Sequence, residues 1–309
     1  MSKKLVLMDH DGAIDDFLAT ILLLTMAEVE PIGIVVTPAD CYPRAAVSVT
    51  RKILDLMGKS HISVAASTVR GINPFPPEFR RDCTIIDNFP ILNEPEQSES
   101  RLVTESGQEF IVNQLQAASQ PVSLMVTGPL TTLAEAIILQ PEIIAKIEAI
   151  IWMGGALTVG GNVEKGFALE HDGSAEWNVF WDPIAAKKIW ETSIAIILCP
   201  LDLTNTVPVT PEFIHLLTKQ RQYPLSDLAG LCYALAIPQT YYCWDILATA
   251  YLARPEFYHL ETYETDIITE GTSQGRTILK QGGRTIQVMT KVDKQRFYDY
   301  LLKQLKALK

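Results

Sequence analysis

Short apolar runs alternate with helix-period segments from the N-terminus onward, and this alternation limits the possible folds more than any other feature. Lys4 to Met8 reads as a strand and Ile14 to Met26 as a mostly buried helix. Pro31 to Val36 reads as a second strand, Tyr42 to Leu56 as a second helix, and Ile62 to Ala65 as a short third strand. A β-α-β-α-β order implies parallel strands covered by helices. Arg70 to Ser100, rich in Pro, Asn, Asp and Glu, loses the pattern, and residues 78–99 read as a lid or pocket wall. Periodicity returns with a helix over Leu102 to Ala118, a strand over Val122 to Val126, a helix over Leu130 to Leu139 and a strand over Ile147 to Trp152. Met153 to Asn178 is Gly-rich and polar; a helix at Pro183 to Glu191 and a strand at Ile194 to Cys199 follow. Beyond Pro211 the pattern is mostly helical to Ala253, then strand-like at three places, and helical again from Asp293 to Leu308. The reading is an α/β fold with an open, mostly parallel central sheet flanked by helices, residues 1–309 forming a single domain. Ligands of such sheets bind outside the carboxyl ends of the strands, where the long polar loops gather.

Charge and cysteine usage narrow the function. Lys and Arg total 26 against 36 Asp and Glu, a formal net charge of −10, which argues against a nucleic-acid footprint. No apolar run approaches the roughly 20 residues of a spanning helix, and the start of the chain lacks a signal-peptide pattern. Five scattered cysteines without a C-x-x-C pair read as small buried hydrophobes in a reducing cytoplasm.

The densest chemistry lies at LVLMDHDGAIDDF, where Asp9, Asp11, Asp15 and Asp16 fall within eight residues. They run from a strand end into the first turn of a helix, with Gly12 permitting a sharp turn between. Carboxylates this close repel one another, so a cation among them or a raised pKa is expected. Hard oxygen donors suit Ca²⁺ or Mg²⁺. Val126-Thr127-Gly128-Pro129 leaves a strand in a way that frees the Thr127 carbonyl for a metal. Asp245, at the head of an apolar helix, supplies a further acid, and its neighbour Trp244 can stack on a planar ring. Gly161-Asn162-Val163 and Asp172 to Asn178 carry amides and acids suited to sugar hydroxyls. The D-x-D-G start also fits an aspartyl-phosphate phosphatase, with Asp9 as nucleophile and Asp11 as acid. The immediate Asp15-Asp16 pair argues against it.

Taken together, DHDGAIDDF at 9–17, Ala39-Asp40-Cys41, NPFP at 73–76, VTGPL at 126–130, MGGA at 153–156, GNV at 161–163, DGSAEWN at 172–178, WDP at 181–183, TNTVPV at 204–209 and YYCWD at 241–245 resemble the inosine-uridine-preferring nucleoside hydrolase family. Within it the chain looks nearest to the purine-specific branch, because Trp244 stands where the pyrimidine-tolerant branch carries a His. The resemblance implies a homodimeric purine ribonucleoside hydrolase of nucleoside salvage. It implies Ca²⁺ held by Asp11, Asp16, the Thr127 carbonyl and Asp245. Asp11 would be the base toward the attacking water. Asp15, Met153, Asn162, Glu176, Asn178 and Asp245 would bind the ribose. Asp40 would lie by the base, and Trp244 and Phe79 would stack on it, Trp244 aiding its departure. A nucleoside-binding protein without catalysis is the non-enzymatic alternative.

Overall fold

The computed structural model describes residues 3–94, 98–237 and 240–308. The expectations for residues 95–97 of the lid segment lie outside that range. Nine strands form one sheet: β1 (Lys4–His10), β2 (Val29–Val36), β3 (Val64–Ala66), β4 (Val122–Val126), β5 (Ile147–Met153), β6 (Ile196–Cys199), β7 (Tyr258–Ile267), β8 (Thr277–Leu279) and β9 (Arg284–Val292). Their order is β3-β2-β1-β4-β5-β6-β9-β7-β8. Pairing is parallel from β3 through β6 and on to β9, and antiparallel at β9–β7 and β7–β8.

The α/β expectation holds, and its cause lies in the strand composition. β4 is buried at all five positions, and β1 from Val6 onward. Strands buried on both faces need helices on both faces, and two apolar clusters lie on the two sides. The helix Ile14–Thr25 is buried from Ile14 to Leu24, because the helix Trp244–Ala250 packs against its outer side.

Two expectations differ in detail. Residues 70–100, read as patternless, contain short helices at Pro77–Arg80 and Asp82–Asp87 and a 3₁₀ turn at Pro90–Leu92. Such short pieces bury few apolar residues, so no period develops. β7 begins at Tyr258, seven residues before the first strand signal at Thr265, because its first half is largely solvated.

Strand order reverses between β1 and β4: the chain runs outward from β1 to β3 and then returns to the other side of β1. A crevice opens at the carboxyl ends of strands at such a reversal. Asp9 and His10 end β1, and Thr127 follows β4 directly.

Candidate active site

Gly12 turns the chain out of β1 with φ +82°, and a Cβ there would stand 2.7 Å from the Cβ atoms of both Ala46 and Cys41. Glycine is thus required both for backbone conformation and for space. The turn delivers Asp15 and Asp16 into the first helical turn. Asp16 accepts from the Ala13 backbone N–H at 2.8 Å and from the Thr127 hydroxyl at 2.5 Å. Asp11 sits beside Asp16, and its Oδ2 accepts the Asp40 backbone N–H at 3.2 Å.

The distal acid closes the group. Asp245 enters on the first turn of the helix Trp244–Ala250, and its backbone N–H donates to Asp15 Oδ2 at 3.2 Å. The Tyr241 hydroxyl donates to Asp15 Oδ1 at 2.8 Å. Asp9, Asp11, Asp15, Asp16 and Asp245 are each 4% exposed or less. Among the described residues no Lys or Arg forms an ion pair with any of them. Burial raises every one of these carboxyls above its ordinary range, Asp9 to about 8 and Asp16 to about 6. Burial raises Asp40 too, and its Oδ1 lies buried without a hydrogen-bond partner.

Behind the acids runs a line of hydroxyls. Thr37 donates to Asp9 at 2.7 Å, lies 2.5 Å from Thr132, and Thr132 donates to Ser67 at 2.8 Å. His10 is a core residue: its Nε2 lies 3.0 Å from the Thr50 hydroxyl, and burial lowers its pKa to about 3.

The sugar-side candidates adjoin the acids through Thr127. Glu176 caps the helix Trp177–Trp181, accepting from Asn178 N–H at 2.9 Å and Val179 N–H at 3.3 Å, and from Gly155 N–H at 2.9 Å. Burial raises its pKa to about 7. Asn178 Nδ2 donates to the Thr127 carbonyl at 2.9 Å and the Met153 carbonyl at 3.1 Å. Asn162 is exposed, and its Oδ1 accepts the Trp177 N–H at 3.1 Å.

The two stacking candidates stand in different aromatic groups. Trp244 packs against Tyr241 at 4.6 Å and Tyr242 at 5.6 Å, its Nε1 unpartnered. Phe79 meets Phe75 at 6.4 Å and Trp177 at 6.3 Å, both edge to face. The expected acids, Thr127, Met153, Glu176 and Asn178 are therefore connected through one another, while Asn162 and Phe79 join through Trp177.

One expectation needs correction at the metal. The acids do not form a ready-made set: among the described residues no three or more His, Cys, Asp or Glu side chains are grouped so as to hold an ion. The acids are instead paired with each other, Asp11 with Asp16 and Asp15 with Asp245. The Thr127 carbonyl accepts from Asn178 Nδ2 and keeps a second lone pair. The sequence reading also passed over Tyr241 and Thr37. Tyr241 was visible in the YYCWD run but carried no charge to draw notice, and Thr37 stands just ahead of the Ala39-Asp40-Cys41 motif as a neutral hydroxyl with no local pattern.

Comparison with known proteins places this geometry. The model of the inosine-uridine preferring nucleoside hydrolases matches residues 6–299. The chain belongs to that family. A crystal structure of the inosine-uridine preferring nucleoside hydrolase from Bacillus anthracis superposes with a TM-score of 0.95 at 40% identity, covering 99% of this chain and 100% of that one. The pyrimidine-specific ribonucleoside hydrolase RihA of Shewanella woodyi is 27% identical over 324 residues, 98% of each chain. A purine-preferring ribonucleoside hydrolase from Gardnerella vaginalis has a TM-score of 0.78 at 25% identity, covering 98% of each. This chain is thus a nucleoside hydrolase, a glycosidase acting on N-glycosidic bonds.

The expected purine specificity is overturned by these relatives, several of which are pyrimidine-specific hydrolases. The physical reason lies in the residue on which it rested. An indole face stacks on any base, because every base has a π-face, so Trp244 does not by itself select a purine. The phosphatase alternative falls with the family assignment. No helix among the described residues is long and apolar enough to cross a membrane.

Proposed function

We propose that this enzyme hydrolyses ribonucleosides with uridine and inosine both among its substrates, using a divalent cation held by the buried acids. The observation that carries the reading is the meeting of Asp11, Asp15 and Asp16 with Thr127 and Asp245 at the reversal of strand order. The names of the relatives support the choice of bases.

The chemistry of the donors suits a hard cation, although the acids here are paired with one another and not gathered round one point. Five buried carboxyls without a basic partner among the described residues repel one another, and burial favours their neutral forms. Asp11, Asp16, Asp245 and the Thr127 carbonyl are the groups to hold Ca²⁺. When bound, the ion supplies Lewis acidity toward water and offsets the mutual repulsion of the acids. Asp11 accepts the proton of the attacking water. The remaining carboxylates favour the positive charge that develops on the ribosyl ring as the base departs. Asp15 and Glu176 accept from ribose hydroxyls, and Asn178, with Nδ2 committed to backbone carbonyls, offers Oδ1. Met153 and Asn162 line the sugar side, Asp40 the base side. Trp244 stacks on the base and eases its departure, with Phe79 the second aromatic wall. The setting is a cytoplasmic homodimer, supported by five buried, unpaired cysteines and by the family resemblance.

The test is release of free base and ribose from uridine, cytidine, inosine and adenosine, before and after chelation and after Ca²⁺ is restored. Release from uridine and inosine that is lost on chelation and regained with Ca²⁺ is expected. No release from any ribonucleoside in the presence of Ca²⁺ overturns the proposal.

A further inference from the structure

A cavity of about 480 Å³ lies between the helices Thr131–Leu139 and Pro183–Trp190 and the stretch that follows β3. None of the residues assigned above to ribose, base or cation lines it. Its size lies within the roughly 300–1,000 Å³ of small-molecule sites. Three isoleucines, Ile72, Ile138 and Ile184, form an apolar wall and remain 53%, 47% and 57% exposed.

The polar lining has a common deficiency. Thr131 is 4% exposed, and its hydroxyl, near the Asp182 carboxyl, makes no hydrogen bond of normal geometry. Gln108 donates to Thr68 at 2.8 Å, but its Oε1 is buried without a partner. Asp182 Oδ1 accepts the Ala185 N–H at 3.0 Å, and its like-charged neighbour Glu135 lines the same cavity. Two carboxyls, an amide oxygen and the lone pairs of the Thr131 hydroxyl accept hydrogen bonds here, and that hydroxyl, next to Asp182, is the one side-chain O–H among them, so Gln108 Oε1 and the Thr131 lone pairs are left to an incoming donor. Two cations, Arg70 and Lys188, lie elsewhere on the lining, exposed and without an ion-pair partner among the described residues.

We propose that this cavity is a second binding site, for a small zwitterion with a hydrocarbon body. Its ammonium group meets Asp182, Glu135, Gln108 Oε1 and the Thr131 hydroxyl. Its carboxylate meets Arg70 and Lys188, and its hydrocarbon lies on the isoleucines. The two charged ends give specificity, and the apolar wall supplies the burial that makes binding favourable.

Calorimetric titration with 6-aminohexanoate and with L-leucine tests the proposal, alongside hexanoate and hexylamine, each of which lacks one charged end. At least one zwitterion should bind saturably with Kd of about 1 mM or below, an affinity ordinary for so few contacts. The singly charged compounds should bind at least about tenfold more weakly. Ile184→Arg and Glu135→Lys alter exposed side chains and should each weaken binding about tenfold or more while ribonucleoside hydrolysis is unchanged, which also shows that the variants fold. Absence of saturable binding by both zwitterions overturns the proposal. So does unaltered binding by both variants, or displacement of the zwitterion by inosine, which would put it in the active site. Self-association seen by sedimentation and abolished by Ile184→Arg would place Ile184 between two copies of the chain and overturns it as well.

Discussion

Glu176 carries an unusual load for a helix cap, and its removal gives a quantitative test of the site's electrostatics. The side chain is 2% exposed and accepts three backbone N–H groups, yet burial raises its pKa from 4.5 to about 7. In the unfolded chain the group ionises near 4.5, in the folded one near 7. Between those values the unfolded state binds fewer protons, so stability falls as pH rises, then levels off above the folded pKa. The difference between 7 and 4.5, at about 1.36 kcal/mol for each pH unit, gives a loss of about 3 kcal/mol. Glu176→Gln keeps the shape and removes the titration. Urea unfolding of both proteins from pH 4.5 to 8, with chelator present, isolates the residue, because every other acid occurs in both and cancels. The stability of wild type minus that of the variant should decline by about 3 kcal/mol across the range, most of it below pH 7. A difference that stays constant with pH, or that grows as pH rises, refutes the assignment of a raised pKa to this carboxyl.

Three further outcomes follow from the geometry. Asp11→Ala should lower kcat for uridine by about 10²- to 10⁴-fold, and steady-state base release at near wild-type rate would remove Asp11 as the base. Gly128→Ala would place a Cβ 2.8 Å from Asp11 Cβ and 3.0 Å from its Cγ, so Asp11 must move. A displaced reacting group costs up to about 10²-fold, and kcat should drop far more than the urea midpoint; an unchanged kcat contradicts this. Tyr241→Phe removes the hydroxyl that donates to Asp15. A hydrogen bond to a charged group is worth about 1.5–3 kcal/mol, so kcat/KM should fall by about tenfold or more, and a loss under about twofold would separate Tyr241 from the site.

Which parts were legible in the sequence follows from how each residue signals itself. β4 was read with its actual limits because five buried residues, four of them apolar, stand between a proline and a Thr-Gly-Pro turn. The acid run at 9–16 was legible because like charges are improbable directly after a buried strand. The first half of β7 was not, since Tyr258 to Glu264 alternates weakly and its neighbours, not its composition, make it a strand. Base preference was misread because one aromatic residue was asked to decide what its π-face cannot. The pairing of Asp15 with Asp245 and the hydrogen bond from Asn178 to the Thr127 carbonyl depend on distances between segments 51 or more residues apart, which no local pattern carries.

Asp15 meets Asp245 across 230 positions of chain. During translation the N-terminal quartet of acids emerges long before its distant companion leaves the ribosome. Domains tend to organise from the N-terminus as they are made, so the six parallel strands that end at Cys199 can assemble first. A product truncated before Tyr241 would keep that framework but lack the segment that completes the crevice. Competence to cleave nucleosides is thereby deferred until the stretch from Tyr241 to Asp245 has been made.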